Sequence, residues 1–196
     1  MLLLRNLYFK GYVQMKTAVS LFSGCGGSDT GIHNAGFEII MANDIIPYAK
    51  DVYLANLPET DYMLGNIKEI EHFPSSDLLV GCYPCQGFSQ GGARVADKKV
   101  NYLYKEFARA LNYIKPKAFI VENVSGMLRK TFTHLLKDQI QIFSEAGYVV
   151  KHQILNAADF GVAQNRKRIF IVGIRDDINF DYQFPQPTHG TDTCLL

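Results

Sequence analysis

The chain has few of the features that would assign it to a secreted or membrane class. Its four cysteines, Cys25, Cys82, Cys85 and Cys194, are irregularly spaced. The apolar run at residues 2–4 is too short to be the core of a secretory signal. No apolar stretch is long enough to span a membrane. The composition therefore indicates a reducing, cytoplasmic setting in which the thiols are free.

An excess of charge of either sign is also lacking. The net charge is +1, so the charge balance neither predicts nor excludes a nucleic-acid partner. Internal repeats and low-complexity tracts are absent as well. What is present is 47% hydrophobic residues in 196, enough for a sizeable core in a length typical of one domain.

Strand-like and helix-like segments alternate along the chain. The predicted strands cover residues 17–22, 37–42, 62–64, 77–82, 118–121, 148–155 and 168–174, and the predicted helices cover residues 28–35, 47–56, 102–114 and 132–146. This alternation predicts an α/β fold with a doubly wound, mostly parallel sheet, and the last two strands are predicted to form an antiparallel pair.

The alternation also suggests a division of the chain into three parts. Residues 1–16 are predicted to be an N-terminal extension without an assigned role, and residues 17–176 to be one domain. Residues 177–196 contain Pro185 and Pro187 and are predicted to be an exit linker.

A glycine-rich turn follows the first predicted strand. Residues 22–27, Phe-Ser-Gly-Cys-Gly-Gly, would let the backbone approach a ligand closely. Asp44 follows the second strand, 44 − 24 = 20 residues after Gly24, where a carboxylate can accept both ribose hydroxyls of an adenosine ligand. The glycine spacing differs from that of dinucleotide sites and fits S-adenosylmethionine better. The alternative is a purely structural turn with a solvated Asp44.

Cys85 lies in the most informative segment of the chain, residues 81–89, Gly-Cys-Tyr-Pro-Cys-Gln-Gly-Phe-Ser. The apolar run before it is predicted to be a buried strand, which places the thiol at the carboxyl end of a strand, a position suited to nucleophilic chemistry. Glu122 ends another apolar strand, and Arg166 and Arg168 open a third. A nucleophile, an acid and two cations converge if these strands share one sheet.

These residues also have interpretations other than a nucleophilic site. Cys82 and Cys85 form a Cys-x-x-Cys pair, which could be redox-active or half of a zinc site. Zinc needs further ligands at suitable spacing, and the remaining cysteines and the five histidines are scattered, so no metal is predicted. Glu122 could be a helix-capping or strand-end carboxylate, and Arg166 and Arg168 could lie at a solvated strand edge.

Six segments together resemble the catalytic half of cytosine-5 DNA methyltransferases. They are residues 20–27, Ser-Leu-Phe-Ser-Gly-Cys-Gly-Gly; 42–44, Ala-Asn-Asp; 65–67, Gly-Asn-Ile; 81–89; 121–124, Val-Glu-Asn-Val; and 159–169, Asp-Phe-Gly-Val-Ala-Gln-Asn-Arg-Lys-Arg-Ile. The resemblance implies a Rossmann-like, S-adenosylmethionine-dependent methyltransferase fold. It also implies a DNA (cytosine-5-)-methyltransferase of a bacterial or phage restriction–modification system, cytoplasmic and associated with the nucleoid through DNA.

The resemblance implies roles for the converging residues. Cys85 would add to C6 of a cytosine flipped out of double-stranded DNA. Glu122 would bind the N3 edge, Arg168 would donate to O2 and position Glu122, and Arg166 would support the site or a phosphate. Residues 87–100 would form a mobile flap over the base.

The same resemblance implies a pocket for S-adenosylmethionine, with S-adenosylhomocysteine as the product. Phe22 and Ile45 would contact the adenine, Asp44 would take the ribose, and Pro84 and Leu103 would form a wall. The amides of the glycine turn would face the methionine part. The implied pocket also includes Ser23, Gly24, Cys25, Gly26, Gly27, Asn66 and Ile67.

The chain departs from the family pattern at several points. Asn66 stands where the family usually has an acidic residue, although its amide carbonyl can accept the same hydrogen bond. Ser20 replaces a common aspartate, which leaves the partner of the methionine amino group open. The target-recognition domain and the terminal Gly-Asn-rich segment of the family are not found in these residues. The resemblance therefore predicts a partial enzyme that needs a second subunit or segment. An RNA (tRNA) cytosine-5 methyltransferase and a non-catalytic cofactor-binding fragment remain open as alternatives.

Overall fold

The computed structural model describes residues 16–84, 102–129 and 132–190. In these residues seven strands form one sheet in the order β3-β2-β1-β4-β5-β7-β6. The strands are β1 (Lys16–Leu21), β2 (Phe37–Asp44), β3 (Asp61–Leu64), β4 (Leu78–Gly81), β5 (Ala118–Val124), β6 (Tyr148–Asn156) and β7 (Lys167–Arg175). Strands β1 to β5 pair in parallel, and β7 runs antiparallel to both of its neighbours, β5 and β6. The predicted doubly wound, mostly parallel sheet with a final antiparallel pair is confirmed.

Four α-helices connect the strands within the described ranges. They are α1 (Gly27–His33), α2 (Pro47–Asn56), α3 (Tyr104–Ile114) and α4 (Thr133–Glu145). Pro47 opens α2, where a missing backbone N–H removes no helical hydrogen bond. Lys115 adopts a left-handed conformation and ends α3 directly before Pro116. All four helices were predicted, with ends that differ by at most two residues.

The strand bounds agree almost as closely, with one informative difference. β5 continues to Val124, 124 − 121 = 3 residues beyond its predicted end. The extension exists because Glu122, Asn123 and Val124 pair with the first half of β7. Glu122 therefore lies within a paired strand rather than in the loop that follows.

The two faces of the sheet carry two hydrophobic clusters. Successive residues of a strand point to opposite faces, so Val19 joins one cluster and Ala18 the other. On the first face, α3 and α4 contribute Phe107 and Phe143, whose rings meet Phe119 at centroid distances of 5.8 and 4.9 Å. The second cluster includes residues of α1 and α2.

The segment after β7 also packs on the second cluster. Tyr182 is buried, and Ile178, Phe180 and Phe184 are partly buried against the same residues. The Lys151 ammonium on β6 donates a 2.8 Å hydrogen bond to the Tyr182 carbonyl. The first part of the predicted linker thus contributes to the domain core, and its role as a connection to a further domain stays a prediction. The predicted N-terminal extension lies almost entirely outside the described residues.

Candidate active site

The carboxyl ends of β1, β2, β4 and β5 meet at one edge of the sheet. Leu21 pairs with Asn43 on one side and with Gly81 on the other, and Gly81 pairs in turn with Val121. The chain leaves β1 toward β2 and returns on the opposite side as β4, so this edge is the point where the strand order reverses. Ligands of open α/β sheets bind at such a point. The glycine turn, Asp44, residues 82–84 and Glu122 all lie there.

The glycine turn after β1 is held in an unusual backbone conformation. Phe22, Gly24 and Gly26 have φ values of 59°, 53° and 83°, all left-handed. A bulky residue such as Phe22 rarely adopts such a φ, and strain of this kind persists only where the surrounding structure enforces it. A Cβ added to Gly26 would lie 2.9 Å from the Tyr53 ring, so the turn packs directly on α2.

The other side of the turn is open. A Cβ added to Gly24 or Gly27 would meet no described atom within 4 Å. Ser23 is buried, and both its N–H and its hydroxyl donate to the Asn43 carbonyl, whereas Cys25 is exposed. The backbone is therefore anchored from below and accessible from above, as a close approach of a ligand requires.

Asp44 connects the turn to α2. Its Oδ2 accepts the Gly24 N–H at 2.8 Å, and its Oδ1 accepts the Ile46 N–H at 3.0 Å. The neighbouring Ile45 side chain is 64% exposed. A carboxylate fixed by two backbone bonds next to an uncovered apolar side chain fits a ligand with polar and flat apolar parts.

The other predicted pocket residues take different positions. Asn66 is half-buried, and its Oδ1 accepts the Lys68 N–H at 3.1 Å. Ile67 is buried in the first cluster, so its side chain serves the core. Pro84 is exposed at the edge of the sheet, and Leu103 lies half-buried against the same cluster at the start of α3.

A cavity of about 600 Å³ joins the glycine turn to the ends of β4 and β5. Its lining includes Phe22, Gly24, Ser28, Cys82, Glu122 and Arg166. A second cavity of about 470 Å³ is lined by Glu122, Arg166 and Arg168 together with apolar residues that include Phe160, Val162 and Pro185. Glu122, the predicted acid, and Arg166 thus line both cavities.

Glu122 and Arg168 form an ion pair, with 2.8 Å between Glu122 Oε1 and Arg168 Nε. Burial raises the pKa of the Glu122 carboxyl, and the positive charges of Arg168 and Arg166 only partly oppose this rise. The carboxyl therefore binds a proton more readily than an exposed glutamate does. Arg166 is exposed and lies close enough to act on Glu122 by charge alone.

The predicted nucleophile, Cys85, lies outside the described residues, as does the predicted flap. The segment that leads to it is firmly held, because Asn123 Nδ2 donates to the Tyr83 carbonyl at 3.1 Å and the Tyr83 hydroxyl donates to Gln139 at 2.6 Å. Burial raises the pKa of the Cys82 thiol to about 12, so this thiol stays protonated.

Sequence reasoning did not find the residues that hold this edge from below. They are Asp29, Tyr53, Tyr83, Asn123 and Gln139, all buried. An aspartate in the first turn of a helix is the common choice for the helix dipole, so Asp29 gave no distinct signal. Neither a buried amide nor a tyrosine hydroxyl has a sequence pattern of its own. In the described ranges no three His, Cys, Asp or Glu side chains gather as a metal site would require, and none of the helices could cross a bilayer.

The strand order, the glycine turn and the carboxylate at the switch point define a Rossmann-like methyltransferase fold. The crystal structure of a putative DNA modification methyltransferase encoded within an E. coli prophage superposes with a TM-score of 0.75 at 26% identity, over 86% of this chain and 49% of that one. The structure of a DNMT2 mutant from Spodoptera frugiperda shares the fold, with a TM-score of 0.67 at 24% identity, over 86% of this chain and 52% of that one.

The family model for C-5 cytosine-specific DNA methylase matches residues 16–193, and the chain belongs to this family. It is 37% identical to the Type II methyltransferase M.BsuRI of Bacillus subtilis over 206 residues, which cover 90% of this chain and 47% of that protein. It is 38% identical to the Type II methyltransferase M.AquIA of Picosynechococcus, over 89% of this chain and 77% of that protein. The chain spans about half the length of M.BsuRI and of M.BspRI from Lysinibacillus sphaericus, at 47% and 49%.

Proposed function

We propose that this chain is the catalytic half of a DNA (cytosine-5-)-methyltransferase. The complete enzyme would transfer a methyl group from S-adenosylmethionine to C5 of a cytosine flipped out of double-stranded DNA. The observation that carries the proposal is the Glu122–Arg168 pair, 2.8 Å apart, because Glu122 also lines the cavity that reaches the glycine turn. Glu122, which would bind the cytosine, and the glycine turn, which would bind the cofactor, thus line the same cavity.

The residues around the turn fit S-adenosylmethionine. Gly24 and Gly27 leave room for a ligand against the backbone, and the exposed Ile45 offers an apolar surface to an adenine. Each Asp44 oxygen accepts one backbone N–H and keeps acceptor capacity for a ribose hydroxyl. When bound, the cofactor supplies an electrophilic methyl group and leaves as S-adenosylhomocysteine.

Cys85 is the proposed nucleophile. Cytosine C5 is a poor nucleophile, and addition of a thiolate at C6 shifts electron density to C5, which can then form a bond to carbon. Of the Cys-x-x-Cys pair, Cys82 is poorly suited, because burial raises the pKa of its thiol to about 12. Asn123 and Gln139 hold Tyr83 and so orient the chain that leads to Cys85.

Glu122 is the proposed partner of the N3 edge of the cytosine. Its raised pKa makes the carboxyl easier to protonate than that of an exposed glutamate, and the protonated form would donate to N3 while Cys85 adds to C6. Arg168 would donate to O2 of the base and keep Glu122 oriented through their ion pair. A base then removes the C5 proton, the released electron pair restores the C5–C6 double bond, and the bond from sulfur to C6 breaks.

The chain is proposed to need a second subunit or segment for activity. The floor of the 600 Å³ cavity includes the buried side chains Ile32, Val80 and Ile120 and the half-buried Phe170, and a further segment would cover the cavity from outside. A net charge of +1 provides little of the cationic surface on which non-specific DNA affinity depends. A terminal segment would cover the cavity, and a recognition domain would supply the cationic surface for DNA.

A reconstitution experiment tests the proposal. The purified chain is titrated with S-adenosylmethionine, and transfer of a tritiated methyl group to mixed-sequence duplex DNA is measured. Both assays are repeated with a second polypeptide that carries a target-recognition domain and the terminal Gly-Asn-rich segment. We expect weak cofactor binding and little methylation by the chain alone, and recovery of both with the second polypeptide.

The same assay separates the alternatives. Robust, sequence-specific methylation by the chain alone would show that it is not a partial enzyme. Transfer to tRNA but not to duplex DNA would assign the site to RNA. Cofactor binding without transfer to any substrate, even with the second polypeptide, would leave only a cofactor-binding fragment.

A further inference from the structure

Asp29 lies beneath the glycine turn, and the proposed mechanism does not use it. The residue is fully buried, with 0% exposure. Its Oδ1 accepts hydrogen bonds from the hydroxyls of Ser20 at 2.8 Å and Ser28 at 3.0 Å, and its Oδ2 accepts one from the Tyr53 hydroxyl at 2.8 Å. Burial raises the pKa of Asp29, and these three bonds oppose the rise. Such a network is costly to build and fixes its members in one arrangement.

Tyr53 connects this network to the turn. Its ring, on α2, is fully buried and would touch any side chain at Gly26, at 2.9 Å. The same ring packs against Tyr62 at a centroid distance of 4.9 Å, and the Tyr62 hydroxyl donates to the Gly24 carbonyl at 3.3 Å. The floor of the turn thus includes the Tyr53 ring, whose hydroxyl is bonded to Asp29.

The two serines connect the network to β1 and to β4. Ser20 is a buried residue of β1, directly before Leu21. Ser28 lines the 600 Å³ cavity, and its hydroxyl lies 3.6 Å from the Cys82 sulfur. Asp29 therefore joins α1, α2, β1 and, through Ser28, the end of β4. Strand β1 and helix α1 flank the glycine turn, and β4 leads to the segment before Cys85, whereas Asp44 ends β2 and accepts the Ile46 N–H directly before α2.

We infer that Asp29 is a positioning residue for the cofactor, which holds the glycine turn in its binding conformation through Tyr53, Ser20 and Ser28 without touching the ligand. The turn has three left-handed residues, at positions 22, 24 and 26, and such a conformation persists only when neighbouring groups enforce it. If Tyr53 loses its bond to Asp29, the ring can tilt and the turn can relax. The inference rests on the proposed function, since it requires the turn to be the cofactor site.

The test compares two tyrosines in the full chain. Tyr53→Phe removes the hydroxyl that binds Asp29. Tyr148→Phe is the matched control, because the Tyr148 hydroxyl is also buried and donates at 2.8 Å to the Pro116 carbonyl, near the opposite end of the sheet. Asp29→Asn is the third variant. The dissociation constant for S-adenosylhomocysteine is measured by calorimetry, and stability by urea unfolding.

We expect Tyr148→Phe to lower stability and to leave the dissociation constant unchanged. Tyr53→Phe and Asp29→Asn should raise the dissociation constant on the order of tenfold, as expected when a buried hydrogen bond loses one of its partners. If Asp29→Asn does not fold, Tyr53→Phe decides the question. Variants that lose stability but keep the wild-type affinity would show that Asp29 serves the scaffold alone, with the proposed function intact. A wild-type chain that binds neither form of the cofactor, even with the second polypeptide present, would overturn both the proposed function and this inference.

Discussion

Arg168 Nε lies 2.8 Å from Glu122 Oε1, across the antiparallel pair of β5 and β7. Arg168 pairs with Val124 in the register of the two strands, so the ion pair is a diagonal contact between neighbouring strands. About a quarter of each side chain is exposed, 27% for Glu122 and 23% for Arg168. The desolvation of Glu122 outweighs the cation, so the pair keeps the carboxyl oriented without forcing it to ionise.

Arg168→Gln should make stability more sensitive to pH. Without Arg168, a charge that now lowers the Glu122 pKa is lost, so the folded pKa rises further above its ordinary value of 4.5. A raised carboxyl pKa gives stability that is present below the unfolded pKa and is lost as pH rises through the folded pKa. The stability deficit of the variant should therefore grow from pH 4.5 toward neutrality, as measured by urea unfolding at several pH values.

Arg175→Gln provides the contrast. Arg175 lowers the pKa of Asp177, and a lowered carboxyl pKa gives stability that is present above the unfolded value of 3.8 and is lost as pH falls. The deficit of this variant should be constant above that pH. A pH-independent deficit for Arg168→Gln over the same range would contradict the assignment of the Glu122 shift.

Cys85→Ala should abolish methyl transfer and leave the fold intact, because in the proposed mechanism its thiolate forms the covalent bond to C6. The measurement uses the chain reconstituted with a recognition domain and DNA that contains 5-fluorocytosine. The C5 fluorine cannot leave as a proton does, so the adduct accumulates. Cys194→Ala is the matched control and should keep the adduct. Trapping at any cysteine other than Cys85 would refute the assignment.

Glu122→Gln should retain binding of the base and lower the rate of methyl transfer. The amide can still donate to N3 but cannot supply a proton, so the loss should be on the order of 10²–10⁴-fold, as for other general acids. Single-turnover kinetics of the reconstituted enzyme measure this loss. Glu145→Gln, an exposed change on α4, should have no effect. An unchanged rate for Glu122→Gln would remove Glu122 from the mechanism.

Gly26→Ala should destabilise the chain, and Gly31→Ala should not. Gly26 has a φ of 83°, and a Cβ there would lie 2.9 Å from the Tyr53 ring, so a cost of at least about 1–2 kcal/mol is expected. Gly31 lies within α1, and a Cβ there meets no described atom within 4 Å. Alanine should stabilise that helical position by about 0.5–1 kcal/mol. Urea unfolding of both variants gives the comparison, and equal stability of the two would contradict the close packing of the turn on Tyr53.

Much of the fold could be predicted because each element has a local cause. Pro47 fixes the start of α2, and the residues before Pro116 end α3. The buried parallel strands appear as short apolar runs between turn residues, such as residues 77–82. The position of β7 between β5 and β6 is not a local property. It depends on the pairing of Glu122 with Phe170 and of Gln153 with Phe170, which the sequence of either strand does not specify.

The residues of the candidate site also divide into those that the sequence predicts and those that depend on non-local contacts. The common location of Glu122, Arg168 and Asp44 could be predicted because strand ends in an α/β sheet gather at one edge. Asp29 was not found, because its three partners come from separate elements and an aspartate in a polar stretch looks like a surface residue. The packing of Tyr182 was missed for a related reason, since the prolines that follow it suggested a linker.

The late position of β7 in the chain has a consequence for synthesis. Arg168 follows Glu122 by 168 − 122 = 46 residues, so the ribosome completes the glycine turn, Asp44 and Glu122 well before it delivers the cation. Until then one edge of β5 has no partner in this domain, and unpaired apolar strand edges favour aggregation of nascent chains. The insertion of β7 covers that edge and gives Glu122 its counter-ion in the same event. A chain terminated before β7 therefore has an uncovered β5 edge and a Glu122 without its counter-ion. The candidate catalytic centre is thus among the last parts of the domain to be assembled.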